Sequence, residues 1–122
     1  NEAERWEHNV KIMSHLSEKI GAKYMVFLQP TLGIYGQEKH LNPNTRDLAL
    51  FNSLSKEYKK NLNKTYKRLK EKCSKLKFCF DLTESIIPDG NMYSDERHLN
   101  ENGNMIISGK IFDHLKSNIE NN

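Results

Sequence analysis

A chain of 122 residues holds one domain at most, and its 36% hydrophobic and 29% charged residues are the composition of a globular fold on the polar side. No apolar run approaches the length of a bilayer span, and two cysteines are too few for a disulfide framework. The net charge of +3 is unevenly spread: residues 56–77 hold ten basic and two acidic side chains, a local +8, so the remainder carries −5.

The opening residues, Asn1-Glu2-Ala3-Glu4-Arg5-Trp6, already read as helix and do not begin with Met. The chain is therefore expected to be part of something longer, and its compartment stays open. Ala3, Trp6, Val10, Met13, Leu16 and Ile20 recur three or four residues apart, the stripe of an amphipathic helix over residues 3–20 with Gly21 placed to end it. His8 and His15 lie seven apart and read as solvent-side residues. Residues 24–28 are a continuous apolar run ended by Gln29-Pro30, as in a parallel strand buried on both faces. The loop that follows, residues 31–43, leaves the carboxyl end of that strand, where ligands bind in open α/β sheets. Gln29, Thr31 and Tyr35 are placed to line such a site, although turn residues with incidental polarity are the plainer reading.

Asn44 suits a helix N-cap and Asp47 the positive end of the helix dipole. From Leu48, through Phe51, Leu54, Tyr58, Leu62, Tyr66, Leu69 and Cys73, to Leu76 the apolar spacing stays at three or four. Unbroken, that helix would run about 45–50 Å, so a kink or break is expected near Asn52-Ser53. Its basic residues read most simply as a solvated face. A phosphate-bearing or anionic membrane surface is the functional alternative. The lysines lack the interleaved aromatics of a single-stranded nucleic-acid groove, so nucleic acid is not the expected partner. Asn63-Lys64-Thr65 is a glycosylation sequon only if the protein is secreted. Cys73 on the helix stripe and Cys79 in the next strand read as small buried apolar residues, a bridge between them being open but not required.

Residues 78–82 form the second predicted strand, and residues 83–92 a loop with Pro88, Asp89 and Gly90. Met105, Ile107, Ile111, Phe112, Leu115 and Ile119 mark a closing helix from Glu101, with His114 beside Asp113 on its surface and Asn121-Asn122 frayed. Just ahead of that helix stands Tyr93-Ser94-Asp95-Glu96-Arg97-His98-Leu99-Asn100-Glu101-Asn102-Gly103. A carboxylate three residues before an imidazole can fold back onto its Nδ1–H. That fixes one tautomer and presents Nε2 as a base. A surface turn with an ordinary exposed histidine is the bland reading of the same spacing.

Asp95-x-x-His98, followed by Leu99-Asn100-x-x-Gly103 and a Met/Ile-rich helix from about Met105, resembles the last sequence block of the SGNH/GDSL hydrolases. These are serine esterases, lipases and carbohydrate deacetylases. The strand and loop over residues 24–31 and the strand over residues 78–81 are similar to theirs as well. The resemblance implies α/β architecture: the C-terminal part of a flavodoxin-like three-layer α/β/α fold with parallel strands, with residues 1–122 as one partial domain. Periodicity agrees, since strands alternating with helices favour parallel pairing, and two strands alone would both be edges.

The resemblance further implies ester hydrolysis, with His98 as base and Asp95 as its partner, acting on a lipid or an acetylated carbohydrate. Acyl transfer to an alcohol on the same fold is a further reading. In the family the nucleophile lies in a Gly-Asp-Ser block and the oxyanion donors include a glycine and an asparagine from a Gly-x-Asn block. None of these blocks is in the chain, and Ser94 does not correspond to the nucleophile. The chain alone is therefore expected to be inactive and to pair with itself or with a missing N-terminal segment. No metal or cofactor is suggested. The rival reading, from another class, is a non-catalytic basic module binding an anionic surface through the helix over residues 56–77.

Overall fold

The computed structural model describes residues 1–86 and 90–120. In order, these form α1 (Glu2–Lys19), β1 (Val26–Leu28), a 3-10 turn (Gln37–Lys39), α2 (Arg46–Ser53), α3 (Lys56–Cys73), β2 (Cys79–Asp81) and α4 (Glu101–Glu120). The readings placed on Pro88, Asp89, Asn121 and Asn122 lie outside the described residues.

Asn1 caps α1 by accepting a hydrogen bond from the Ala3 amide at 3.0 Å, and Glu2 and Glu4 in the first turn suit the helix dipole. Glu7 in α1 accepts from Lys11 at 2.8 Å and from Lys72 of α3, tying the two packed helices together. Those two ammonium groups hold the Glu7 carboxyl down at about 2. The single apolar stripe over residues 48–76 is divided between two helices. The break falls at Leu54, whose backbone is extended, and Ser55 restarts the helix by accepting from the Tyr58 amide at 3.0 Å. At the front of α2 the cap is Thr45, not Asn44; Asn44 takes a left-handed φ of 61° and so turns the chain into the helix.

The strands pair in parallel with Val26 opposite Cys79, Phe27 opposite Phe80 and Leu28 opposite Asp81. Side chains alternate across the sheet, so Phe27 and Phe80 share one face, where their rings stack with centroids 5.5 Å apart. His114 of α4 packs there, 4.4 Å from the Phe80 ring. It is thus half-buried against aromatics rather than a surface residue beside Asp113. The opposite face belongs to α3, which contacts both strands.

Cys73 and Cys79 form a disulfide, with Cα atoms 5.3 Å apart. They are not two independent buried thiols, because the chain reverses between them. Leu76 donates its N–H to the Cys73 carbonyl and Cys79 donates to the Leu76 carbonyl, each at 3.0 Å, which folds the end of α3 back onto the start of β2.

The main buried cluster lies beyond the carboxyl ends of both strands. Leu32 follows β1; Leu82 and Ile86 follow β2; Met92, Tyr93 and Ile107 close it from the last loop and α4. Elsewhere the apolar stripes are only partly covered. In α1, Ala3 and Val10 are buried while Met13, Leu16 and, just past its end, Ile20 are exposed, and in α4 Met105, Phe112 and Ile119 are exposed. No helix among the described residues is long and apolar enough to cross a membrane.

Candidate active site

Residues 93–99 form a closed loop. Tyr93 and Leu99 make an antiparallel bridge, and the Ser94 amide donates to the His98 carbonyl at 2.8 Å. Inside it, Asp95 folds the backbone around its own side chain. Oδ1 accepts from the amides of Arg97 at 2.9 Å and His98 at 2.8 Å, the self-capped turn that aspartate favours. The same carboxylate lies 2.9 Å from His98 Nδ1 through either oxygen. The His98 side-chain bond first, then the two amides, hold the Asp95 carboxyl at about 2. Ionised, it accepts only, so Nδ1 carries the hydrogen and neutral His98 presents its lone pair on Nε2. Among the described residues no side chain bonds Nε2, and the imidazole is 75% exposed against 49% for the carboxylate.

The loop is held in place from outside its own sequence. Asp47, at the start of α2, is 0% exposed, and its carboxylate accepts from the amides of Met92 at 2.8 Å and Tyr93 at 3.2 Å. Two buried N–H groups at the loop's entrance are satisfied there. Asp47 thus anchors the loop that carries Asp95 and His98, a role that its reading as a helix-dipole residue does not include. Beside it, burial and then the Asp47 charge push the Tyr93 phenol well above its ordinary range. Arg46 donates to the Ser94 carbonyl at 2.8 Å. From the loop after β1, the Thr31 hydroxyl and the Leu32 amide both donate to the Glu96 carbonyl at 3.0 Å. Downstream, Asn100 caps α4 by accepting from the Gly103 amide at 3.0 Å and donates to the Asn91 carbonyl. A Cβ on Gly103 would stand 2.4 Å from the Met92 carbonyl oxygen, so only glycine lets α4 start this close to the loop.

Of the residues expected to line a ligand site, Gln29 and Thr31 border a crevice of about 450 Å³ together with Tyr58 and Arg97. Tyr35 faces a different, larger cleft. His98 is in the lining of neither. Its sequence neighbour Arg97 lines the smaller crevice. Asn63, the sequon residue, is part of the frame: its amide donates to the Gly33 and Lys59 carbonyls and accepts from the Tyr35 amide at 2.9 Å. No serine hydroxyl among the described residues bonds the His98 imidazole. Compared with known proteins, the chain matches no family model, no curated protein and no solved structure.

Proposed function

We propose that this chain is the C-terminal part of a flavodoxin-like α/β/α serine hydrolase of the SGNH/GDSL kind, supplying the histidine and aspartate of an ester-hydrolysing triad. The observation that carries this is the Asp95 carboxylate 2.9 Å from His98 Nδ1, with Nε2 unbonded and open. A serine delivered to Nε2 would give up its proton there as it attacks an ester carbonyl. His98 then returns that proton to the leaving alcohol, while Asp95 steadies the imidazolium between the two steps. The nucleophile and the oxyanion donors come from polypeptide outside these residues, since no Gly-Asp-Ser block is present.

The sheet supports the same reading. Two strands of three residues leave an edge open on each, and the exposed stripes on α1 and α4 want cover that the described residues do not provide. A neighbouring strand and helix from the rest of such a domain would fill that requirement and bring the serine with them. The substrate is an ester of a lipid or an acetylated carbohydrate; water and an alcohol are alternative acceptors for the acyl group.

The test is labelling by a serine-directed fluorophosphonate of two proteins, the intact product of the encoding gene and this chain alone. Expected is label on a serine outside residues 1–122 of the intact product, slowed at least about a hundredfold by His98→Ala, and none on the chain alone. Labelling of the intact product at an unchanged rate in His98→Ala would sink the assignment.

A further inference from the structure

The loop after β1, the middle of α3 and the turn after β2 enclose a cleft of about 910 Å³ that the proposed hydrolysis does not use. Three ammonium groups line it, Lys39 from the 3-10 turn and Lys67 and Lys70 from α3. Glu84 offsets one of them: it lies 2.9 Å from Lys70, which is also 3.8 Å from Asp81. Lys39 and Lys67 have no ion-pair partner among the described residues. Both ammonium groups are exposed at the cleft, and like charges on one lining raise the local potential for an anion.

The rest of the lining is of another character. Tyr35 is 61% exposed, and its ring offers a flat face to the cleft. The wall behind it is also fixed in advance. Gln37 accepts from the Gly33 and Ile34 amides and donates to the Thr31 carbonyl, and Asn63 pins Tyr35 to α3. A pre-formed cleft with an aromatic face and cations outnumbering carboxylates has the makings of a small-ligand site.

We propose that this cleft binds a phosphate or sulfate ester carried on a sugar-sized ring, with the anion on Lys39 and Lys67 and the ring against Tyr35. The site stands independently of the Asp95–His98 reading, so either can fail without the other.

Calorimetric titration of the chain at low ionic strength with glucose 6-phosphate, glucose 6-sulfate and glucose tests it. Binding of either ester but not of glucose is expected, and comparison of the two esters shows which anion is preferred. Lys39→Gln/Lys67→Gln should weaken ester binding at least about tenfold. Lys60→Gln/Lys64→Gln removes the same charge from α3 outside the lining and should change it less than about twofold. All four lysines are exposed, so the variants are expected to keep the circular dichroism of the parent. Failure of both esters to bind, or equal weakening by the two double variants, would overturn the proposal, the latter by showing a diffuse basic helix instead of a site.

Discussion

Asp95 does two jobs with one carboxylate: it caps its own turn through two amides, and it orients the imidazole through Nδ1. The coupling has a pH signature. A carboxyl held at about 2 against an ordinary 3.8 stabilises the folded loop fully above the ordinary value, and that stabilisation is lost as pH falls through about 2. Carbon-13 titration should therefore find Asp95 still ionised at pH 3, and His98→Ala should move its midpoint upward. A midpoint unmoved by His98→Ala would mean that the two side chains are not bonded in solution. Asp47 acts at the same scale but through stability: Asp47→Ala strands two buried amides and should cost about 3 kcal/mol in urea unfolding. The Asp95–His98 pair was legible in the sequence because its geometry is local, three residues apart within one turn. Asp47 was not, because its partners lie 45 and 46 residues away and nothing in its own neighbourhood distinguishes it from a helix-dipole aspartate.

The elements themselves were largely legible: helical apolar spacing marks α1, α4 and the stretch shared by α2 and α3, and short continuous apolar runs mark the two strands. What the period could not show was where one stripe changes helix. Leu48 to Leu76 keeps helical spacing straight through the break, and only the Ser55 cap and the extended Leu54 reveal it. The Cys73–Cys79 pairing was hidden for a related reason: it depends on the tight reversal between helix and strand, which neither pattern encodes. Closing so short a loop is worth about 2 kcal/mol in the chain-entropy account, and Cys73→Ser/Cys79→Ser should lower unfolding stability by about that amount. Gly103→Ala tests the seat of α4: with a backbone oxygen 2.4 Å from the new Cβ, the helix must shift, at a cost of about 1–3 kcal/mol in thermal or urea unfolding.

At the scale of the molecule, the described residues form a mixed α/β body whose parallel sheet has helices against both faces and open strand edges. Its candidate dyad stands beyond the carboxyl end of β2, on a loop anchored by α2 and by the loop after β1. In the proposed hydrolase the dyad is one half of a site, and the uncovered stripes on α1 and α4 are where the other half would join. The most direct measurement is hydrolysis of p-nitrophenyl acetate by the intact gene product, by its His98→Ala variant, and by this chain alone. An active intact product, a fall of about 10³-fold or more on His98→Ala and an inert chain are the expected results. An intact product that does not hydrolyse the ester, or one whose rate is indifferent to His98, would contradict the assignment of Asp95 and His98 to catalysis.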